Sequence, residues 1–142
     1  MSRAGILLAD DHDKMRDQIT RLLEHEFEIL DSVKNGVAFL EAAEKLQPDV
    51  AVLDISMPIL NGIEAATQLK QKGSSTKIVF LTIHEDLDFV RAALDTGALG
   101  YVLKRRMGSD LRTAIKEALA GRKFISSSIV FGEKSKPQGE SR

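Results

Sequence analysis

Short apolar runs alternate with amphipathic stretches along most of the chain, the pattern of parallel strands joined by crossover helices. Gly5-Ile6-Leu7-Leu8-Ala9 reads as a first strand running into acids, after which Met15, Ile19, Leu22 and Leu23 fall on one face of a helix. Phe27 to Val33 is a weaker second strand closed by the turn Asn35-Gly36, and Phe39, Ala43 and Leu46 then repeat at helical spacing as far as Gln47-Pro48. Val50-Ala51-Val52-Leu53 is short and uniformly apolar, as a strand buried on both faces is. Met57-Pro58 breaks the regularity, Asn61-Gly62 marks a turn, and Ile63, Ala66 and Leu69 begin a third helix that ends at Lys72-Gly73. Lys77 to Thr82 is a fourth strand. Leu87, Val90 and Leu94 line a fourth helix ending at Gly97, Leu99 to Leu103 is a fifth strand, and Leu111, Ile115, Ala118 and Leu119 complete a fifth helix. This predicts an α/β domain over residues 1–121, a doubly wound sheet of five parallel strands. Residues 122–142, with serines at 126 to 128 and an aperiodic run from Gly132 to Arg142, are expected to be a linker or mobile C-terminal tail.

Composition narrows the classes. A chain of 142 residues that is 43% hydrophobic and 29% charged is sized and balanced for one packed core. Twenty Lys and Arg against 21 Asp and Glu leave a net charge of -1, so no positive field draws the domain to phosphate backbones or anionic lipids. The absence of cysteine removes disulfides, thiolate zinc sites and a cysteine nucleophile, and leaves oxygen or imidazole ligands for any metal. No stretch approaches the ~20 apolar residues that span a bilayer, so no membrane partner and a cytoplasmic setting are expected.

In an open parallel sheet, ligands bind outside the carboxyl ends of the strands. The first predicted strand ends in Asp10-Asp11, the third in Asp54, the fourth in Thr82 and the fifth in Lys104. Three carboxylates gathered on one edge repel one another unless a cation compensates them, and oxygen ligands suit Mg2+ or Mn2+. A lysine and a hydroxyl beside them complete what is needed to stabilise a phosphoryl group without covalent chemistry of their own. Asp54, at the end of the most apolar strand, is the best nucleophile candidate. Each residue also has a bland reading. Asp10 and Asp11 could be a solvated acidic pair, Thr82 an ordinary strand end, and Lys104 the start of the exposed run Lys104-Arg105-Arg106. Asp13 reads as a helix cap and is left out of the site. The joint occurrence of polar groups at four strand ends favours the functional reading.

These residues resemble the receiver domain of bacterial two-component response regulators from Ile6 to about Gly121. The motifs are Leu8-Ala9-Asp10-Asp11-His12, the stretch from Asp54 through Met57-Pro58 and Asn61-Gly62 to Glu64, Phe80-Leu81-Thr82, and Gly97-Ala98-Leu99-Gly100-Tyr101-Val102-Leu103-Lys104. The Asp10-Asp11-His12 opening, the lysine not followed by proline, and Gly121 to Ser126 resemble the subfamily that carries a C-terminal LuxR/NarL-type helix-turn-helix. The residues after Gly121 are too few for such a domain, so direct nucleic-acid binding by this chain is not expected.

The resemblance implies a flavodoxin-like fold with strand order 2-1-3-4-5. It implies that Asp54 takes a phosphoryl group from a sensor histidine kinase or phosphotransfer protein. Mg2+, for which Mn2+ substitutes, would be held by Asp10, Asp11, Asp54 and the carbonyl of Ser56. Thr82 would hydrogen-bond the phosphoryl group, Lys104 would pair with it, and Thr82 with Tyr101 would form the switch. The bland reading of Tyr101 is a half-buried strand aromatic. The fourth helix, fifth strand and fifth helix would be the output surface, with homodimerisation on phosphorylation and transcription control or protein contact as the output. The domain would be a switch rather than an enzyme, phosphorylated by small donors and dephosphorylating itself.

Ile83 departs from the family, which has a small residue there, and a branched side chain is expected to crowd the approach to Asp54. Ser56 and His84 occupy the variable positions that flank the phosphoryl group, and His84 is equally well read as a solvated loop histidine. An aspartyl-phosphate phosphatase of similar topology would need a second carboxylate two residues beyond the nucleophile, where this chain has Ser56. A flavodoxin-like cofactor site would need a phosphate-cradling loop where Asp10-Asp11-His12-Asp13 stand, and those acids repel phosphate.

Overall fold

A computed structural model describes residues 3–127 and 129. Its elements are β1 (Gly5–Ala9), α1 (Asp13–Leu23), β2 (Glu28–Val33), α2 (Gly36–Leu46), β3 (Val50–Leu53), α3 (Gly62–Gln71), β4 (Lys77–Thr82), α4 (Leu87–Asp95), β5 (Gly100–Leu103), α5 (Met107–Leu119) and β6 (Phe124–Ile125), with a single 3-10 turn, Lys104–Arg106, before α5. Successive strand side chains point to opposite faces, and this sorts the core into two layers. Ile6, Leu8, Val52, Val79 and Leu81 pack with Ile19 and Leu23 of α1 and Leu111 and Ile115 of α5. Leu7, Leu53, Phe80 and Tyr101 pack with Phe39 of α2, Ala65 and Leu69 of α3, and Val90 of α4. Helices therefore cover both faces, as a doubly wound sheet requires.

All strand pairings are parallel, in the order β2-β1-β3-β4-β5-β6. The expected order of the first five strands holds, but the sheet has six strands rather than five. The sixth is two residues long and lies in the stretch expected to be linker or tail. It carries no periodicity of its own and exists because Phe124 N–H donates to Leu99 O (2.8 Å) and Ser126 N–H to Tyr101 O (2.9 Å). The aperiodic run from Gly132 onward lies outside the described residues. β3 is buried along its whole length and β2 only partly, as their contrasting apolar content predicts. Among the described residues no helix is long and apolar enough to cross a membrane.

Candidate functional site

The ladder between β3 and β1 runs one residue past the strands, Asp54 N–H donating to Ala9 O at 2.9 Å, while Asp10 N–H donates to Val33 O of β2 at 3.0 Å. The two aspartates are thereby held side by side at the carboxyl edge of the sheet. The segment bearing Asp54 is fixed from behind by α3. Asn61 and Glu64 form a reciprocal capping box at its start, and Gly62 N–H donates to Ile55 O at 2.8 Å. A Cβ on Gly62 would stand 2.0 Å from the Asp54 carbonyl oxygen, so only glycine lets the helix approach this closely.

Asp10 is 1% exposed and Asp54 4%. Lys104, the first residue after β5, reaches back over the strand ends with its side chain 10% exposed, placing Nζ 2.7 Å from Asp10 Oδ2 and 3.0 Å from Asp54 Oδ2. Both contacts are ion pairs, but only the second also has the geometry of a hydrogen bond, so Asp10 Oδ2 is buried beside the ammonium charge without a hydrogen-bond donor. The remaining oxygens are held locally. Asp54 Oδ1 accepts from Ile55 N–H at 2.7 Å, and Asp10 Oδ1 from His12 N–H at 2.8 Å. Arg16 of α1 donates to the Asp10 carbonyl at 2.7 Å.

Burial raises the pKa of Asp54 above the ordinary carboxylate value, and the neighbouring charge of Asp10 adds to this, with Lys104 and the Ile55 N–H only partly opposing it. For Lys104 burial works against the charge, but its close contacts with the Asp10 and Asp54 carboxylates outweigh it and leave its pKa raised. The lysine is thus a firm cation between two confined acids.

Asp11 is exposed and completes the acidic group. One ligand atom from each of Asp10, Asp11, His12 and Asp54 lies within 4.8 Å of the others, with His12 Nδ1 3.1 Å from Asp11 Oδ1. Three carboxylates face one ammonium, and a buried oxygen of Asp10 lacks a donor. Hard oxygen donors with charge left over fit a divalent cation such as Mg2+. His12, which in sequence is only part of the Asp10-Asp11-His12 motif, belongs to this cluster, and an exposed histidine at a helix start carries no spacing signal that marks it as a ligand. Asp13, expected to cap α1, is its first residue; His12 holds the N-cap position without a side-chain cap bond, and Asp13 pairs with Arg16 one turn on.

Thr82 ends β4 fully buried, and its Oγ1 accepts from His84 N–H at 3.3 Å. His84 is no solvated loop histidine. Its ring stacks on Phe89 at 4.1 Å, its Nε2 lies 2.7 Å from the Ser56 hydroxyl, and its carbonyl accepts the Tyr101 hydroxyl at 2.8 Å. Tyr101 is 0% exposed rather than half-buried, and burial, reinforced by the charges of Asp86 and Asp54, raises its phenol pKa far above the ordinary value. Ser56 is exposed, its side chain spent on His84. Ile83, expected to crowd the approach to Asp54, is largely solvent-exposed and lines a shallow 190 Å3 depression with Leu103, Lys104 and Arg105.

Residues 6–116 match the family described as the response regulator receiver domain. The transcriptional regulatory protein DegU of Brevibacillus brevis is 37% identical over 126 residues, which are 87% of this chain and 53% of that protein. Chemotaxis protein CheY of Halobacterium salinarum is 35% identical over 114 residues, 80% of this chain and 95% of that protein. A solved two-component response regulator of the LuxR family from Aurantimonas superposes with a TM-score of 0.86 at 32% identity, over 90% of this chain and 93% of that one. The chain spans just over half the length of several curated relatives, DegU among them.

Proposed function

The chain belongs to the response regulator receiver family, and from that premise we propose that Asp54 is the phosphoacceptor of a signalling switch. The observation that carries the proposal is Lys104 Nζ held between the buried carboxylates of Asp10 and Asp54 at the strand ends. A carboxylate kept in a confined, poorly hydrated place is a stronger nucleophile once ionised. An Asp54 oxygen attacks phosphorus, the new O–P bond forms as the P–N bond of a kinase phosphohistidine breaks, and the departing imidazole nitrogen takes a proton from solvent. Lys104 then turns its charge to the added phosphoryl oxygens, and the Thr82 hydroxyl offers them a hydrogen bond.

Asp10, Asp11, Asp54 and the Ser56 carbonyl are the residues that would hold Mg2+. When bound, the ion neutralises phosphoryl charge and lowers the repulsion among these acids. Drawing Thr82 inward pulls on its partner His84 and so on Tyr101, which transmits the change to α4, β5 and α5 as the output surface. Moving such a switch from 1:99 to 99:1 takes about 5.5 kcal/mol of differential interaction, within reach of several charge-assisted bonds in a buried site.

The partners in this reading are a sensor histidine kinase or phosphotransfer protein and a second copy on phosphorylation, in the cytoplasm, with hydrolysis by the domain itself resetting the switch. Residues 122–142 are the connection that carries the output, either to a DNA-binding module in transcription control or to a protein contact. The test is intact-mass analysis after incubation with Mg2+ and acetyl phosphate, beside Asp54→Ala. One phosphoryl group gained only with Mg2+ and only with Asp54 present is the expected result. No gain in a folded, Mg2+-binding protein overturns the assignment.

A further inference from the structure

In a five-stranded sheet β5 would be an edge strand and Tyr101 an edge residue, one flank open to water. Here Tyr101 is 0% exposed, and β6 pairs with β5 along that edge. Tyr101 and Ile125 are register partners across the β5–β6 pairing, so their side chains stand next to one another on the same face. Ile125 and the buried Ile129 both join the apolar cluster of Tyr101, Phe80, Val90 and Ala98. Between them Ser126, itself buried, is tied down three ways. Its N–H donates to Tyr101 O at 2.9 Å, its hydroxyl accepts from Leu103 N–H at 3.1 Å, and the same hydroxyl donates to Asp110 Oδ2 of α5 at 2.8 Å. Asp110 is buried too, and is held by Arg106 at 3.1 Å and Ser109 at 3.0 Å. A buried serine and a buried aspartate are thus committed to fastening this short segment, and the phosphoryl site uses neither.

We propose that docking of Phe124, Ile125, Ser126 and Ile129 on the β5 edge and the inward placement of Tyr101 are one state of the molecule, so that the segment following α5 is itself the element the switch controls. Ile125, the register partner of Tyr101, and Ile129 pack into the cluster that holds the phenol, so in this proposal Tyr101 leaves the core as the segment lifts. Conversely, lifting the segment strips the flank of Tyr101 and frees the backbone groups of Tyr101 and Leu103 immediately before Lys104. Tyr101 OH is bonded to His84 O, and His84 N–H to Thr82 Oγ1, so the segment is joined by three successive contacts to the strand end beside Asp54. The link to phosphorylation rests on the function proposed above: a phosphoryl group that draws Thr82 inward holds His84, then Tyr101, then the segment. Coupling of this kind is reciprocal.

Tyr101 is the only tyrosine and the chain has no tryptophan, so intrinsic fluorescence reports this residue alone. The experiment compares the wild-type chain, Ser126→Ala, Ile125→Lys and the double variant, each first shown folded by circular dichroism. Acrylamide quenching reads Tyr101, and hydrogen exchange at the Phe124 and Ser126 amides reads the segment. Faster exchange at both amides together with a several-fold rise in Tyr101 quenching is expected in every folded variant; if Ile125→Lys does not fold, Ser126→Ala decides. Faster exchange with quenching unchanged overturns the proposal, and so does a segment that stays protected after both contacts are removed. The same amides in wild type should exchange more slowly with acetyl phosphate and Mg2+ than in Asp54→Ala, and equal rates in protein shown by mass to be phosphorylated overturn the coupling. The tyrosine arm uses unmodified protein, so it stands or falls whether or not Asp54 accepts a phosphoryl group.

Discussion

The Ser56 hydroxyl lies 2.7 Å from His84 Nε2, which joins the loop after Asp54 to the loop after Thr82. With the His84 ring stacked on Phe89, this contact braces two loops that flank the Asp54 carboxylate. Removing the imidazole in His84→Ala should loosen both and admit water. A hydrogen bond of ordinary net worth, about 1 kcal/mol, corresponds to a several-fold faster loss of the Asp54 phosphoryl group. The decay of phosphorylated mass after removal of the donor measures it, and a lifetime equal to wild type would show that the brace does not shield the site.

Lys104→Met keeps the bulk of the side chain but leaves Asp10 and Asp54 buried without their shared counter-charge. Breaking a buried ion pair from one side costs about 3–5 kcal/mol, and loss of that order is expected in urea denaturation without divalent ions. Mg2+ should restore more stability to the variant than to wild type. A variant as stable as wild type in the absence of Mg2+ would mean that the two carboxylates are not charged together in the folded protein.

The raised pKa of Asp54 has a definite sign in the pH dependence of stability. A carboxyl whose folded pKa lies above its unfolded one binds its proton more readily when folded. It therefore penalises folding at neutral pH, and the penalty disappears as pH falls through the folded pKa toward the unfolded value near ~3.9. Asp54→Asn should accordingly be more stable than wild type at neutral pH without Mg2+, and the difference should shrink on acidification. Denaturant midpoints measured across that range test this, and a gain that grows as pH falls would contradict the direction of the shift.

Ile59, in the loop between β3 and α3, has φ +73° and is 79% exposed. A β-branched residue in the left-handed region is strained by roughly 1–2 kcal/mol, and so exposed a side chain gains little by burial in return. Ile59→Asn, which tolerates this conformation, should raise stability by about 1 kcal/mol, read from the denaturation midpoint at unchanged slope. An unstabilised variant would point to contacts of Ile59 that offset its backbone.

Much of the fold is written in local pattern. β3 is four apolar residues because both its faces are covered, and Asn61-Gly62 announces the start of α3 because capping and the close approach to Asp54 each demand one residue type. The acids and the lysine at the strand ends are legible for the same reason: strand boundaries follow from periodicity, and the topology brings their carboxyl ends to one edge. Other features have no local signature. Phe124–Ile125 is a strand only because β5 offers unpaired backbone groups beside it, and Ser126 and Asp110, sixteen residues apart, mean nothing until α5 folds back. His84 reads as an ordinary loop histidine until Phe89, Ser56 and Tyr101 surround it, and tertiary packing turns Tyr101 from a half-buried strand aromatic into a fully buried one. The extents of the strands and the residues at their ends are properties of nearest-neighbour sequence, whereas the order of the strands, which of those end residues touch, and which stray segment seals the last edge depend on contacts between residues far apart along the chain.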